Sequence, residues 1–246
     1  MPMILTLAAR NLLRHGRRTA ITTVAISCGL AFMIWTMNLS NGMHDDMLRQ
    51  GISSTAGHVV VQATGWQEER EVDQLVRDAS AVEQQLQAAA PDGTVLSRMF
   101  VSGLLTSPAN SVGIALSGVQ PEREARITEF QDKLVSGQYL AADDDRGVLI
   151  GARLAETLDV GLGDKVVLMA QGDGEVQSRL LRVRGIFRTG SEEADGFLAM
   201  TNISALRDLL GAPDSSHQVS LHVDGLAQAG SAIAAAKSSI DIDGAE

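Results

Sequence analysis

An uncharged run of 25 residues, Thr19 to Met43, is the first hydrophobic pattern along the chain. Four basic residues precede it, and no acidic residue occurs before His44; the four are Arg10, Arg14, Arg17 and Arg18. About 20 apolar residues in a helix span the hydrocarbon core of a bilayer, and a basic flank usually stays in the cytoplasm. The pattern predicts a transmembrane helix over 19–43, with these arginines setting a cytoplasmic N-terminus.

Residues 1–18 form a separate segment before that helix. Leu5, Leu12 and Leu13 fall at helical spacing, with Arg10 and Arg14 on the other side. This pattern predicts a short amphipathic helix on the cytoplasmic membrane surface.

Three other interpretations of the apolar run are a cleaved signal peptide, a lipoprotein signal ending at Cys28 and a buried core helix. The run is longer than a signal-peptide core, and no small-x-small cleavage site follows it. Ala25-Ile-Ser-Cys28 matches a lipoprotein signal poorly, and 25 uncharged residues are excessive for a buried helix. A retained membrane helix is therefore favoured.

Strand and helix patterns alternate after the apolar run. Residues 57–62 read as a strand of β-branched residues, and apolar spacing predicts a helix over 72–90. Strand-like runs follow at 94–106 and 112–119, joined by a short polar turn. The pattern predicts a β-α-β-β unit whose last two strands are antiparallel.

A second block begins at Pro121. A polar helix is expected over 122–130, followed by strands at 147–151, 165–169, 178–187 and 197–200, a hairpin turn at 172–174, and helices at 152–158 and 203–210. A final strand, 218–223, and an alanine-rich helix, 226–240, repeat the opening β-α order. We therefore expect an α+β fold in which residues 44–120 and 215–246 form one subdomain and residues 121–214 form an inserted, smaller, mostly-β subdomain.

The charge distribution also divides the chain, at residue 43. The net charge is −10, but removing the four N-terminal arginines leaves 16 basic and 30 acidic residues, a net of −14 beyond residue 43. This acidity argues against a nucleic-acid-binding protein, which needs a basic face. The single cysteine excludes a disulfide framework within the chain, and the 45% apolar content excludes a disordered chain.

Several segments together resemble one protein family. Arg10-Asn-Leu-Leu-Arg-His-Gly-Arg-Arg-Thr19 precedes the apolar run, and the longest match is Gly147-Val-Leu-Ile-Gly-Ala-Arg-Leu-Ala-Glu-Thr-Leu-Asp-Val-Gly-Leu-Gly-Asp-Lys-Val166. Asn41-Gly-Met43, Gly57-His-Val-Val-Val61 and Val183-Arg-Gly-Ile-Phe-Arg-Thr-Gly190 follow the same order. The chain resembles the FtsX-like ABC transporter permeases, and its spacing is typical of the lipoprotein-releasing (LolC/LolE-like) branch. MacB-like permeases share the same domain plan.

The resemblance implies an inner-membrane protein whose main domain is periplasmic. It implies a porter-like subdomain with a smaller insertion, and four membrane helices in the whole family protein. Two permease subunits, identical or different, would pair with two cytoplasmic ABC ATPase subunits, and ATP hydrolysis would move the periplasmic domain. In the lipoprotein-releasing branch, that movement extracts acylated lipoproteins from the outer leaflet and passes them to a periplasmic carrier.

Motifs for catalysis are missing from the sequence. There is no P-loop, no Gly-x-Ser-x-Gly elbow and no His-Glu-x-x-His pair, so we expect no enzymatic activity, cofactor or metal in this chain. His58 and His222 are expected to be hydrogen-bonded structural residues in strands. The acidic runs Asp143–Asp145 and Glu192–Asp195 are expected to be solvated or structural loops.

Cargo contact is expected just beyond the membrane helix, between residues 39 and 57. Flexible apolar side chains occur there, and the candidates are Met43, Met47, Leu48 and Ile52. The alternative is that they pack against the protein's own helices, as expected for Gly29 within the membrane. Three other functions stay open: an FtsX-type regulator of a periplasmic cell-wall hydrolase, which transports nothing, a MacB-like efflux mechanotransmitter, and a receptor with one membrane span.

Overall fold

The computed structural model describes residues 17–33, 57–66, 72–172 and 175–223. Residues 17–33 are helical (α1) and belong to one compact unit, Met1–Ser53, whereas Ser54–Glu246 form a second. None of the helices in these described ranges has the length and hydropathy needed to cross a membrane. The predicted span 19–43 is helical as far as residue 33, and residues 34–43 lie outside the described ranges. The span and its orientation therefore stay predictions.

The second unit mixes strands and helices, which confirms the mixed fold expected from the sequence. Its described strands are β1 (Val59–Gln62), β2 (Val76–Arg77), β3 (Thr94–Thr106), β4 (Ser111–Val119), β5 (Leu134–Gly137), β6 (Gly147–Gly151), β7 (Lys165–Gly172), β8 (Glu175–Phe187), β9 (Leu198–Asn202), β10 (Ser215–Ser216) and β11 (Gln218–His222). Its described helices are α2 (Ala79–Ala89), α3 (Pro121–Ile127), α4 (Ala152–Leu158), α5 (Glu192–Asp195) and α6 (Ile203–Leu210), with a 3₁₀ turn at Glu129–Lys133.

Three antiparallel strands build the first part of this unit. The order is β1, β11 and the first half of β3, where Thr94–Arg98 pair with β11. One face of this small sheet is apolar and packs on α2, with Val61, Val95 and Leu221 contacting Val82 and Leu86. The alternation of apolar and polar residues along β11 is what puts Val219 and Leu221 on that face.

Six strands close into a barrel in the second part. Each strand pairs with the next in the order β3, β4, β9, β6, β8, β7, and β7 returns to pair with β3. Every strand contributes buried apolar side chains to one cluster, which α4 and α6 complete; its members include Leu105, Leu116, Ile150, Leu154, Leu168, Leu181, Ala199 and Leu206. A closed sheet leaves no free edge among these six strands, so packing inside the barrel fixes their register.

The long strand β3 belongs to both parts. Its residues Thr94–Arg98 pair with β11, whereas Met99–Thr106 pair with β4. The change of partner falls between Arg98 and Met99, within one unbroken strand. A continuous strand of 13 residues therefore connects the small sheet to the barrel.

Several predicted elements are confirmed to within a few residues. Strands 57–62, 94–106, 112–119, 147–151 and 218–223 and helices 152–158 and 203–210 are observed as β1, β3, β4, β6, β11, α4 and α6, and the last two strands of the opening β-α-β-β unit are antiparallel as expected. The strands expected at 165–169, 178–187 and 197–200 are observed as the longer or shifted β7, β8 and β9. Helix 226–240 and the turn at 173–174 lie outside the described residues.

The predicted helix over 72–90 is wrong in its first third. Val76 belongs to β2, which pairs with β10, and Asp78 takes a left-handed conformation with φ of 52° before α2 starts. Asp214, distant in sequence, caps the helix: its backbone oxygen accepts from Ala79 N and its carboxylate from Ser80 N. A helix start fixed by a residue more than 130 positions away leaves no local signal, since sequence rules for caps are local.

The polar segment after β4 also differs from expectation. The predicted helix 122–130 ends at Ile127 and continues as the 3₁₀ turn, and β5 was not predicted from the sequence. This segment covers the outer side of the barrel, where Phe130, Leu134 and Leu140 pack on Leu149 and Phe187. The division into residues 44–120 with 215–246 and residues 121–214 stays a prediction, and β3 serves both parts.

Candidate functional site

The residues predicted to set topology or meet cargo fall mostly outside the described ranges. Arg17 and Arg18 are exposed on α1, and the undescribed ones are Arg10, Arg14, Met43, Met47, Leu48 and Ile52. Among the described residues, nothing outside the backbone of α1 itself lies within 4 Å of where a Cβ on Gly29 would be. Apolar side chains of α1 are exposed, with Ile21 at 70% and Phe32 at 65%. The roles predicted for the N-terminal segment stay predictions.

A buried ion pair lies where β3 passes from the small sheet into the barrel. The Arg98 side chain is 2% exposed, and that of its partner Glu124 on α3 is 4% exposed. Arg98 Nε donates to Glu124 Oε2 at 3.0 Å and Nη2 donates to Oε1 at 2.7 Å, which is a bidentate contact. A bidentate arginine–carboxylate pair fixes orientation as well as distance. It therefore fixes the position of α3 on β3 where the strand passes from the small sheet into the barrel.

A second set of polar contacts connects α2 to the same part of β3. Glu83 of α2 accepts from Arg123 Nη1 at 2.6 Å and from Gln120 Nε2 at 3.0 Å. It also accepts from the Ser97 hydroxyl of β3. We call Glu83, Ser97, Arg98, Gln120, Arg123 and Glu124 the polar junction. It connects one strand and two helices through side chains that are mostly paired.

His217 extends the polar contacts on the other side of β3. Its Nδ1 accepts from Phe100 N at 3.0 Å, so the neutral ring donates from Nε2 to Val72 O at 3.1 Å. The ring stacks on Trp66 with centroids 4.2 Å apart. Burial lowers the pKa of His217 to about 4, outweighing the hydrogen bond to Val72. This histidine is therefore neutral at pH 7, and protonating it would break the contact with Phe100.

His58 and His222 have the structural role predicted for them. The His58 ring accepts from Val223 N at 3.3 Å and meets the His222 ring edge-on, with centroids 6.5 Å apart. His222 ends β11 and is buried, whereas His58 lies just before β1. Burial first, then the nearby charges of Arg98 and His58, lower the pKa of His222 to about 4.

The two acidic runs, expected to be solvated or structural loops, contain both exposed and buried carboxylates. Burial raises the pKa of Asp144, but hydrogen bonds led by that from Arg184 outweigh it and hold this pKa below its ordinary value. Asp145 pairs with Arg179 at 2.9 Å. Asp195 is 3% exposed and accepts from the Thr189 backbone and hydroxyl, both at 2.8 Å. The solvated interpretation is wrong for Asp144, whose side chain is 18% exposed, but it holds for Asp145, which is 53% exposed. Asp195 agrees with the structural alternative for its run.

The comparison with known proteins gives a family. Residues 19–242 match the model of the MacB-like periplasmic core domain, which is most of the chain. This chain belongs to the MacB-like periplasmic core domain family.

A curated relative agrees with that assignment. The chain is 28% identical over 214 residues to the lipoprotein-releasing system transmembrane protein LolC of Neisseria meningitidis serogroup B, covering 80% of this chain and 48% of that protein. It therefore spans about half the length of this curated relative.

Two solved structures show the same fold at low identity. One is the extracellular domain of the noncanonical ABC-type transporter YknZ from Gram-positive bacteria (TM-score 0.53, 14% identity, 71% of this chain and 87% of that chain). The other is the periplasmic region of MacB from Actinobacillus actinomycetemcomitans (TM-score 0.53, 15% identity, 73% of this chain and 82% of that chain).

In this MacB-like core domain, the polar junction is suited to hold elements together rather than to react. Its charged groups are paired with each other, and no set of three or more His, Cys, Asp or Glu residues within the described ranges is placed to hold a metal. The sequence patterns did not predict the junction. Arg98 is a single charge inside the apolar strand Val95–Val101, and that position was the available signal for a buried pair.

Proposed function

We propose that this chain is part of the permease subunit of an ABC transporter and transmits cytoplasmic ATP hydrolysis to its periplasmic domain. The observation that carries the proposal is the match of residues 19–242 to the MacB-like periplasmic core domain. The relation to a lipoprotein-releasing LolC protein over 80% of the chain supports it. On this proposal the subunit is not an enzyme, and ATPase activity belongs to a separate cytoplasmic partner.

The N-terminal segment is proposed to anchor the subunit in the inner membrane. The exposed apolar side chains of α1 support this, because an apolar helix surface needs lipid or other helices to cover it. Arg10, Arg14, Arg17 and Arg18 would keep the N-terminus cytoplasmic and place the second unit in the periplasm. Gly29 would then let a second membrane helix approach closely.

Force transmission is proposed to depend on β3 and the polar junction. A movement applied to the small sheet would reach the barrel through one covalent strand, since β3 pairs in both. The Arg98–Glu124 pair stops α3 from sliding on that strand. The domain would therefore move as one body instead of absorbing the movement in an internal hinge.

The proposed cargo is an acylated lipoprotein or another lipophilic molecule of the outer leaflet. Met43, Met47, Leu48 and Ile52 would meet it just outside the membrane, and a periplasmic carrier would receive it. A second permease subunit, identical or different, would complete the site. The relation to LolC supports this substrate class more than any contact within the domain does.

The second candidate is a MacB-like efflux mechanotransmitter. The family model and the shared fold with the periplasmic region of MacB favour it as directly as they favour the first candidate. An FtsX-type regulator of a cell-wall hydrolase would use the same mechanical principle without transport.

A depletion experiment separates these functions. The protein is depleted in its host, and acylated lipoproteins are quantified in separated inner and outer membranes. Retention in the inner membrane is expected for lipoprotein release. Normal sorting with increased drug sensitivity would support efflux, and normal sorting with defective cell separation would support hydrolase control.

Crosslinking from Met47 provides the direct contact test. A photoreactive residue at Met47 should capture an acylated lipoprotein, and the same residue at exposed Val135 on β5 is the matched control. Capture of only a hydrolase or an adaptor at Met47 would contradict the cargo assignment. Copurification of a cytoplasmic ABC ATPase tests the permease assignment independently of cargo.

A further inference from the structure

The strand β5 has an unpaired edge within the described part of the chain. It pairs with β8 on one side, and no described strand pairs with its other side. Val135 is 52% exposed, and its neighbours Ser136 and Gly137 are exposed as well. An edge of this kind can take up a strand from another chain, because its outer backbone groups have no partner in the sheet.

The backbone of β5 directs hydrogen-bonding groups toward that edge. Lys133 and Gln138, the residues that flank β5, bond to β8 through their backbone atoms at 2.9 Å each. Residues of an antiparallel pair alternate between bonded and non-bonded positions, so Leu134 and Gly137 direct their backbone groups away from β8. Leu134 N donates to Gln131 O within the preceding 3₁₀ turn. The Leu134 carbonyl and both backbone groups of Gly137 therefore face the open edge.

A recess of about 530 Å³ adjoins the first half of β5. The strand lines one side of it, and α4 and the following turn line the other. Asp159 and Asp164 lie on that second side, and neither forms an ion pair within the described ranges. Glu156 also lines the recess but is paired with Arg153 at 3.0 Å. Arg188 is the one cation among the described residues that line it, so the recess is acidic.

A second recess, of about 730 Å³, adjoins the end of β5. Gly137 and Leu162 both line it, and the Leu162 side chain is 49% exposed. Its acid Asp144 is already paired with Arg184 at 2.6 Å. A strand added to β5 would thus meet unpaired acids beside its first half and an exposed apolar side chain beside its end.

We propose that the open edge of β5 takes an added strand from a protein partner, an extended segment with a basic residue facing Asp159 and an apolar residue on Leu162. Strand addition of this kind takes its affinity from backbone hydrogen bonds and its selectivity from side-chain recesses along the edge. A lipid is disfavoured, because an acyl chain cannot satisfy backbone groups. A second copy is disfavoured, because it would bring the unpaired acids of both copies to one interface.

The contact test is photo-crosslinking of the full-length protein in its own membrane, with the photoreactive residue at Val135. The matched control places it at Phe197, which is 40% exposed just before β9. Acylated cargo is not expected at Val135, in keeping with the use of this position as the control for Met47.

The charge test is Asp159→Asn. Asp159 ends α4 in a left-handed conformation with φ of 52°, which asparagine also adopts, so the substitution removes the charge and keeps the backbone. Asp92→Asn, at an exposed acid in the turn before β3, is the matched control.

A protein adduct is expected at Val135 and not at Phe197, with Lys or Arg in the crosslinked segment. Its yield should fall about threefold in Asp159→Asn, the size of effect that one exposed charge pair gives, and stay unchanged in Asp92→Asn. Raising the salt to 0.5 M should lower the yield from the unsubstituted protein too, which keeps the test decisive if the variant unfolds.

A pair of synthetic peptides tests the backbone pairing separately. A decapeptide of alternating Lys and Val should compete with the partner and lower the adduct yield at Val135. The same peptide with N-methylated backbone amides has the same charge but cannot donate hydrogen bonds to the edge, so it should compete much less.

The proposal would be overturned by the absence of a protein adduct at Val135, or by an adduct with a second copy, a lipid or an acylated lipoprotein only. Yield insensitive to both Asp159→Asn and salt, or equal competition by the two peptides, would also overturn it. This inference rests on the proposed function only in placing β5 in the periplasm. Its readout is contact at Val135, whereas the proposed function is read from lipoprotein sorting, capture at Met47 and ATPase copurification, so the two can fail separately.

Discussion

The strands β6 and β11 have the same length and the same burial but opposite chemistry. Each has five residues, all buried; β6 reads Gly-Val-Leu-Ile-Gly and β11 reads Gln-Val-Ser-Leu-His. Both faces of β6 pack against apolar side chains, inside the barrel and beneath the segment that covers it. Only one face of β11 does so, and its other face carries Gln218, Ser220 and His222.

The two strands are therefore stabilised by different interactions. Apolar packing around β6 depends on shape and volume, and it is insensitive to pH. The polar face of β11 and the neighbouring Arg98 and His217 depend on paired hydrogen bonds, since an unpaired buried polar group is costly. The small sheet should therefore lose stability when His217 is protonated, and the polar junction when one partner is removed, whereas the apolar packing around β6 should not depend on pH.

The largest expected effect comes from Arg98→Met. It leaves the Glu124 carboxylate buried without its partner, which should lower the free energy of unfolding by about 3–5 kcal/mol. Urea denaturation at pH 7 measures the loss. The double variant Arg98→Met, Glu124→Leu should recover much of it, and equal losses in the single and double variants would show that the pair's charge is not the cause.

Ile150→Ala in β6 should cost nearly as much by a different mechanism. Ile150 is fully buried in the barrel, so its removal leaves a cavity and should lower the free energy of unfolding by about 3 kcal/mol. The loss should be the same at pH 7 and at pH 5. A loss that changes with pH would contradict the assignment of this strand to apolar packing alone.

Protonation of His217 in acid should lower the free energy of unfolding by an intermediate amount. The folded-state pKa of His217 is about 4, below the ordinary 6.5, so the unfolded chain binds the proton more readily. The stability that this histidine contributes is present above pH 6.5 and is lost as the pH falls toward 4. From pH 7 to pH 5 the expected loss is about 2 kcal/mol.

His217→Gln sharpens this pH test. It should be less stable than the unsubstituted protein at pH 7, because the ring contacts with Trp66 and Phe100 are removed. Its unfolding free energy should, however, change less between pH 7 and pH 5. An unchanged slope would assign the acid sensitivity to another group, with His222 as the next candidate because its pKa is lowered in the same direction.

The smallest effect is expected at an exposed ion pair. Arg153 and Glu156 on α4 form a contact of 3.0 Å but are 60% and 63% exposed. Arg153→Met should change the free energy of unfolding by less than about 1 kcal/mol. This variant is the matched control for Arg98→Met, and a comparable loss at both sites would contradict the importance given to burial.

The sequence predicted β6 well and β11 only in part, for a physical reason. A short apolar run between Gly147 and Gly151 indicates a strand buried on both faces. Along β11, alternation correctly indicated a strand but gave no sign that Gln218 and Ser220 are buried. Their burial depends on residues distant in sequence, which a local pattern does not contain.

The candidate site was harder to predict than the fold. The family resemblance rested on local motifs such as Gly147–Val166, and the match over 19–242 confirms it at the level of the periplasmic core domain. The polar junction joins residues from β3, α2 and α3, so no contiguous motif marks it. The start of α2 was missed for the same reason, because Asp214 supplies its cap.

Hydrogen exchange along β3 tests the central claim most directly, namely that one strand makes the small sheet and the barrel a single mechanical body. The backbone amides of Thr94–Arg98 and Met99–Thr106 are compared under native conditions. Opening free energies that agree within about 1 kcal/mol across the hydrogen-bonded amides of both halves are predicted, as for one cooperative unit. Exchange of the first half at a free energy several kcal/mol below that of the second would contradict the claim.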